Sequence, residues 1–146
     1  MQMKRVIGNQ NWHRAASCYV RMQVFVLERG LAIDDEFDQA DRDGTTYAVI
    51  FAGDQPVATG RYLPIDADRA RLTRIATLAA YRGQHLGAQV IQALEDQARQ
   101  DGKQTLIIHS ELTAKGFYQT LGYRPSSAVY QEDGVDCQTL TKQVAN

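Results

Sequence analysis

The sequence predicts a single α+β domain over residues 1–146, with an α/β-like core. Short apolar segments separated by turns predict a meander of three strands in the first half of the chain. An amphipathic helical pattern and a β-branched segment then predict a βαβ unit, and two more strands predict a closing hairpin. A helix before the meander would complete a sheet flanked by helices.

The first half of the chain begins with a predicted helix from residue 11 to about residue 27, as one helix or as two with a break. Residues 34–44 carry six Asp or Glu side chains and little apolar periodicity, which predicts a loop that is either solvated or a cation site. The three meander strands are predicted at residues 46–51, 57–63 and 71–78.

The second half of the chain contains the βαβ unit and the hairpin. Apolar residues at helical spacing predict a helix that ends at Asp101 and Gly102, where glycine suits the left-handed cap. The next strand is continuously apolar and is expected to be covered on both faces. The remaining predictions are that strand at residues 105–109, a helix at 113–121 and a hairpin at 129–140.

Composition excludes several classes of function. The formal charge of −1 shows no excess of basic residues, which argues against nucleic acid and anionic membrane surfaces as partners. No apolar segment approaches the ~20 residues of a membrane span, and no signal-peptide pattern is evident. With two distant cysteines, Cys18 and Cys137, the simplest expectation is a reduced, cytoplasmic protein. No zinc-like cluster accompanies them, so no metal is predicted.

Residues 81–88 are the most informative segment, because they join a predicted strand to a helix and expose several backbone N–H groups. The first turn of a helix leaves four N–H groups unpaired and carries partial positive charge, which suits a pyrophosphate. Gly83 and Gly87 keep side chains away, and Arg82 adds a planar fork for phosphate oxygens. The segment lacks the glycine pattern of a dinucleotide site and the Gly-Lys-Ser/Thr of a P-loop.

The same segment resembles the central signature of the GNAT superfamily of acyl-CoA-dependent N-acyltransferases, Arg/Gln-x-x-Gly-x-Gly/Ala. Arg82 and Gly87 occupy its first and last positions, and His85 stands in place of the middle glycine. A second motif about thirty residues later is similar to the superfamily's Asn-x-x-Ala-x-x-(apolar)-Tyr-x-x-x-Gly-Phe. Here it reads Glu111-x-x-Ala114-x-x-Phe117-Tyr118-x-x-Leu121-Gly122-Tyr123.

The resemblance implies a GNAT fold, with a mixed, mostly antiparallel sheet that splays open at the acyl-CoA site, and acetyl-CoA as co-substrate. The pantetheine arm would pair like an added strand with the backbone of the third meander strand. The resemblance places the Leu78 N–H as oxyanion donor. The residues it assigns to the coenzyme are Ile75, Ala76, Thr77, Leu78, Arg82, Gly83, Gln84, His85, Leu86, Gly87, Ala88, Glu111, Phe117 and Tyr118.

Acetyl transfer to an amine needs a stabilised oxyanion, a base and a proton for the thiolate. Tyr118 is the predicted general acid, because its family counterpart lies near the thioester sulfur. Glu111 replaces an asparagine that contacts the coenzyme in relatives, and it could instead deprotonate the acceptor. Glu28 is the other candidate base. His109 could order water or substrate near the reaction centre.

The predicted function is direct transfer of an acetyl group from acetyl-CoA to a primary amine of a small molecule or peptide, through a tetrahedral intermediate. Two alternatives stay open. One is an acyl-CoA-binding sensor or interaction module without catalysis. The other is an enzyme like the acyl-homoserine-lactone synthases, whose pattern Arg21, Phe25, Glu36, Asp38 and Asp41 resemble. The exposed closing hairpin is compatible with a homodimer.

Overall fold

An eight-stranded mixed sheet with helices on both faces forms the protein in the computed structural model, which describes residues 2–145. The strands are β1 (Met3–Gly8), β2 (Thr46–Ala52), β3 (Gln55–Pro64), β4 (Arg69–Thr77), β5 (Thr105–Glu111), β6 (Arg124–Pro125), β7 (Tyr130–Glu132) and β8 (Val135–Gln143). The α-helices are α1 (Asn11–Arg21), α2 (Ile33–Glu36), α3 (Leu86–Gln100) and α4 (Lys115–Thr120). The predicted α+β architecture is confirmed.

The sheet has the order β1-β2-β3-β4-β5-β8-β6, and β7 also pairs with β8. Every pairing is antiparallel except that of β4 with β5, which α3 connects as the predicted βαβ unit. These two parallel strands pair at only three positions, ending with Arg71 opposite Ile107. Beyond that point they separate, so the predicted splay is present and its apex lies at Arg71.

Helix α3 covers one face of the sheet and packs its apolar stripe on the core, which includes Leu72 of β4 and Leu106 of β5. Gly60 permits this close packing, since a Cβ there would meet Val90 and Leu94 side-chain atoms at 2.6 and 2.8 Å. Opposite Gly60, β4 bulges, and Arg74 has a φ of 55°. The bulge breaks the regular ladder close to the point where β4 leaves β5.

Helix α1 lies on the opposite face and packs on β2, β3 and β4. It runs without a break into a π-helical segment, Met22–Glu28, where Val24 packs with Val20 against Ala76. The helix is therefore one continuous element that widens near its end, a feature common at functional sites.

Strand β5 is covered on one face only, so the prediction of a doubly covered strand is wrong. Leu106, Ile108 and Ser110 are buried, whereas the alternate residues Ile107 and His109 are at least partly exposed. The physical reason is the placement of α1, which covers β2 to β4. An open face therefore lies beside the splay. Strands β1 and β6 were also missing from the sequence-based prediction.

Half of the acidic side chains before β2, Glu36, Asp38 and Asp41, are counter-ions of buried arginines, whereas Asp34, Asp35 and Asp43 are exposed, as predicted for a solvated loop. Arg21 is fully buried and donates to Glu36 Oε2 at 2.8 Å and to both Asp41 carboxylate oxygens at 2.7 and 2.8 Å. Tyr47 donates to Asp41 Oδ1 at 2.7 Å. Burial alone would raise the pKa of Asp41, but the hydrogen bonds from Arg21 and Tyr47 outweigh it and hold that pKa well below its usual range.

Two more arginines extend this network toward β4. Arg61 donates to Asp38 at 2.8 Å and to the Thr73 hydroxyl at 2.9 Å. Arg74, on the bulge, forms ion pairs with Glu36 at 3.1 Å and with Asp38 at 3.2 Å. Three arginines therefore meet three carboxylates, and the network is balanced in charge. It ties the segment after α1 to the strand that borders the splay.

Candidate active site

A cleft of about 530 Å³ opens where β4 and β5 separate, between the end of β4, the start of α3 and helix α4. It gathers residues that the sequence analysis assigned to the coenzyme from two distant motifs. Its lining residues are Ile75, Ala76, Thr77, Tyr81, Arg82, Gly83, His85, Leu86, Gly87, Ala114, Phe117 and Tyr118. The structure therefore brings ten of the fourteen predicted coenzyme residues to one cavity. The four that do not line it are Leu78, Gln84, Ala88 and Glu111.

The α3 N-terminus forms one end of this cleft. The first intrahelical bond there runs from the Gln89 N–H to the His85 carbonyl, which leaves the preceding N–H groups available to an anion. His85 has a φ of 62° and Gly83 a φ of 81°, both left-handed. Histidine is among the residues that tolerate this conformation, so the backbone of the loop keeps a glycine-like path in spite of the substitution. Gly87 faces Phe117, and a Cβ there would lie 3.2 Å from its ring.

The guanidinium of Arg82 is already occupied. It donates to both Glu28 carboxylate oxygens at 2.7 Å each, and its Nε donates to the Thr77 carbonyl at 3.0 Å. Two predicted site residues thus pair with each other, although they came from unrelated parts of the sequence. The hydrogen bonds from Arg82 lower the pKa of Glu28, which weakens Glu28 as a base.

The main-chain N–H of Leu78, the expected oxyanion donor, is also engaged. It donates to the Val57 carbonyl at 2.8 Å in the β3–β4 pairing, so this prediction is corrected. Backbone groups alternate between the two sides of a strand, which turns the N–H of Thr77 toward the splay. The Thr77 carbonyl agrees with this direction, because it accepts from Arg82 rather than from β3.

The side chain of Tyr118 is only 9% exposed and lines the cleft. Among residues 2–145 its hydroxyl has no hydrogen-bond partner, whereas the nearby Tyr123 hydroxyl donates to Glu95 at 2.9 Å. Burial and the charge of Glu111 raise the pKa of Tyr118 to about 12. Tyr118 is therefore a neutral phenol in the wall of the cleft, whereas Tyr123 packs in the core.

Glu111 lies at the end of β5 and pairs with Arg29, which donates to its two oxygens at 2.9 and 3.1 Å. Arg29 directly follows Glu28, so the end of the π-helical segment has one ion pair on each side of the splay. Sequence analysis missed Arg29, since it belongs to no motif and only the fold brings it near β5. The same analysis named His109, and the structure places it on the open face, 3.7 Å from Glu132.

The open face of β5 continues the cleft toward β8. Burial and the charge of Arg71 lower the pKa of His109, so its imidazole is neutral near pH 7. Thr139 lies opposite His109 in the ladder, and its hydroxyl lies 3.0 Å from the Tyr130 hydroxyl. This polar surface meets the cleft at the splay and is a candidate site for a second substrate.

Comparison with known proteins identifies the class of this site. The family model of the acetyltransferase (GNAT) domain matches residues 18–144. The chain belongs to the GNAT acetyltransferase family and is an acyltransferase enzyme. A protein from Streptococcus pyogenes, named an uncharacterised acetyltransferase, is 50% identical over 110 residues, which are 75% of each chain.

Solved structures share the whole fold. A crystal structure of a protein from Lactobacillus plantarum, titled as a provisional N-acetyltransferase, has a TM-score of 0.93 and 39% identity and covers 99% of each chain. The acyl-homoserine-lactone synthase LasI has a TM-score of 0.78 and 16% identity, covering 98% of this chain and 90% of its own. At that identity the likeness to LasI shows the fold alone.

The described part of the chain has neither a cluster of metal ligands nor a membrane-spanning helix. Within residues 2–145, no three His, Cys, Asp or Glu side chains group as metal ligands. No helix in the same part of the chain is long and apolar enough to cross a membrane.

The Arg82–Glu28 pair leads to a prediction about coenzyme affinity. If a pyrophosphate binds at α3, Arg82 must exchange Glu28 for phosphate oxygens, so Glu28→Gln is expected to tighten acetyl-CoA binding a few-fold. Isothermal titration calorimetry measures this change. Asp66→Asn removes a charge from the β3–β4 turn, at the opposite end of β4 from the cleft, and serves as the control that should leave the affinity unchanged. Weaker binding by Glu28→Gln would contradict the exchange.

Proposed function

We propose that this enzyme transfers an acetyl group from acetyl-CoA to a primary amine by direct attack of the amine on the thioester. The observation that carries the proposal is the cleft itself. It runs along the open edge of β4, with the α3 N-terminus at one end and the Tyr118 side chain on its wall. A single linear ligand with a pyrophosphate and a thioester fits this order of features.

Binding of the coenzyme rests on backbone groups. The N–H groups of the first turn of α3, with Arg82 after its exchange, would hold the pyrophosphate. The pantetheine amides would pair with the edge of β4 at residues 75–77, where β5 has moved away. In place of Leu78 we assign the oxyanion to the Ile75 N–H at the bulge. Strand alternation directs it into the gap, like the N–H of Thr77, and the thioester lies beyond the pantetheine amides.

The amine nitrogen bonds to the thioester carbon and gives a tetrahedral intermediate, the C–S bond breaks, and the amine loses one proton while the sulfur gains one. Tyr118, with its pKa raised to about 12, is a weaker acid than a thiol of pKa ~8.5. Its main contribution is therefore a hydrogen bond to the sulfur as negative charge develops, and complete protonation follows on release.

The proton acceptor is assigned to Glu111. Each candidate carboxylate pairs with an arginine, Glu28 with Arg82 and Glu111 with Arg29, so the choice between them rests on position. Glu111 lies at the end of β5, beside the open face that a second substrate would occupy, and its charge is felt by Tyr118. Arg29 would hold its carboxylate in place. The cytoplasmic location and the homodimer stay predictions from the sequence.

The first test is calorimetric titration of acetyl-CoA into the parent and into a Gly87→Glu variant. The new side chain meets Phe117 and places a negative charge at the start of α3, so we expect micromolar binding, about −8 kcal/mol, in the parent and none in the variant. Gln100→Glu adds the same charge at the far end of α3 and is the matched control. Absence of binding by the folded parent would overturn the proposed function.

A second measurement separates the enzyme from the non-catalytic sensor. A panel of primary amines, with release of free CoA thiol followed by a thiol reagent, should yield turnover and an N-acetyl product by mass spectrometry. Binding of acetyl-CoA without turnover toward any amine would favour the sensor instead.

A further inference from the structure

Arg71 occupies the apex of the splay. It is the last residue of β4 that pairs with β5, opposite Ile107. Its neighbours Ala70 and Leu72 are buried in the core against α3, so the Arg71 side chain lies on the other face, with Thr73. His109 lies on that same face of β5, because Leu106 and Ile108 belong to the core. Arg71 thus stands where the open face begins.

The charge of Arg71 is unbalanced. Arg21, Arg61 and Arg74 share the carboxylates of Glu36, Asp38 and Asp41, while Arg82 pairs with Glu28 and Arg29 with Glu111. Arg71 forms no ion pair among residues 2–145, and its Nε is buried with no hydrogen-bond partner there. A buried N–H of a charged group without an acceptor is costly, so the geometry favours an acceptor that comes from outside the chain.

The surroundings of Arg71 reinforce this imbalance. Burial lowers the pKa of Arg71, and the charges of Arg74 and Arg61 act in the same direction, while Glu132 and Tyr130 oppose them. Glu132 lies on the hairpin, is about half exposed and approaches His109. The guanidinium stays charged, since no neighbour can deprotonate an arginine near neutral pH.

We infer that Arg71 binds an anionic group, a carboxylate, on the amine acceptor, so that the enzyme prefers amines that also carry a negative charge. This inference rests on the proposed acetyl transfer and names its substrate class. The planar fork of Arg71 suits two carboxylate oxygens, and the neutral His109 beside it adds no competing charge.

The position of Arg71 sets the length of the acceptor. About 3.3 Å per residue along β4 places Arg71 roughly 13 Å from Ile75, at the bulge where the acetyl group would lie. An arginine side chain spans about half of that distance, so amine and carboxylate should be about 5–9 Å apart. A side-chain amine of an amino acid, an ω-amino acid or a short peptide meets this requirement.

The test compares ω-amino acids of four to eight carbons, including 6-aminohexanoate, with their neutral carboxamides, such as 6-aminohexanamide. Each pair has the same size and amine and differs in the negative charge. We expect kcat/KM of the parent to be at least about tenfold higher for the acid at the best length. Arg71→Gln should lower kcat/KM for the acid alone, so that the ratio of acid to carboxamide falls to about one. Arg71→Lys should restore part of this ratio.

A control variant and a binding measurement separate the anion site from the proposed acetyl transfer. Arg124→Gln removes an exposed arginine on β6, outside the site, and should keep the parent's ratio. Calorimetry of the CoA-saturated protein with the same acids measures binding without turnover. Arg71-dependent binding of an acid in a protein that transfers no acetyl group would retain the anion site and reject the proposed function.

The opposite result rejects the anion site alone. If the parent transfers acetyl groups equally well to acids and amides, or if Arg71→Gln lowers both equally, Arg71 has a structural role and the inference is overturned, while the proposed function stands.

Discussion

Replacing Tyr118 by phenylalanine is expected to lower kcat about 100-fold while acetyl-CoA binds with nearly unchanged affinity. The phenol is buried in the cleft wall, and its hydroxyl is free of partners within residues 2–145, so its removal changes one hydrogen bond and little packing. A hydrogen bond to a charged group contributes about 1.5–3 kcal/mol, and the thiolate carries charge only as the C–S bond breaks. Steady-state kinetics with a fixed amine, together with calorimetry, separates the two effects.

The control for this variant is Tyr123→Phe. Tyr123 is also buried, but its hydroxyl donates to Glu95 inside the core, so the change should lower stability and leave kcat near the parent value. The pH profile adds a second check. Because the pKa of Tyr118 is raised to about 12, it stays protonated through pH 10, and the parent and Tyr118→Phe should share the same pH dependence in that range. A basic limb that disappears in Tyr118→Phe would show that the phenol titrates and would contradict this role.

Elements that depend on one local pattern could be predicted from the sequence. The helix that follows the loop at Arg82 begins and ends close to its predicted limits, because the free N-terminal turn, the apolar stripe and Gly102 all act within α3. The hairpin predicted at residues 129–140 is also present, and its two turn residues, Asp133 and Gly134, both take positive φ. The cleft could be predicted for the same reason, as each of its walls is a contiguous motif.

The parts that failed depend on residues that are distant in sequence. Nothing local shows that Leu78 donates to Val57 or that Glu28 and Arg82 neutralise each other, since both contacts follow from how β3, β4 and the π-helical segment meet. The open face of β5 is a similar case. Continuous apolar residues predict a strand buried on both faces. The position of α1, which lies over β2 to β4, decides which strands are covered on the second face.

Replacing the buried Arg21 is expected to have a large effect on the stability of the fold. Arg21→Met is expected to lower the free energy of unfolding by about 3 kcal/mol, because a buried charge pair that loses one partner leaves the other without full compensation. Arg61 and Arg74 would still contact the two carboxylates, which keeps the loss at the lower end of the usual range. Urea denaturation at pH 7 measures it, and the melting temperature should fall by about 6–12 °C.

The pH dependence of that loss identifies its cause. In the parent the pKa of Asp41 is held below its unfolded value, so its pairing contributes stability above the unfolded pKa of ~3.9, and this is lost as pH falls toward the folded pKa. In Arg21→Met, Tyr47 and Arg61 still lower the pKa of Asp41, but to a smaller extent. The pKa of Glu36, which burial already raises, loses the opposing effect of Arg21, so protonation of Glu36 relieves the variant at mildly acidic pH. The stability gap should therefore be widest above about pH 5 and narrow below it.

Arg69→Met provides the matched control, because Arg69 pairs with Asp66 on the surface and both side chains are about half exposed. Its denaturation midpoint should match that of the parent, since exposed ion pairs contribute little. If Arg21→Met were no less stable than Arg69→Met, or if its deficit were the same at pH 4 and pH 7, the acidic segment would be held by packing alone. The conclusion that the buried ion pairs tie this segment to β4 would then be wrong.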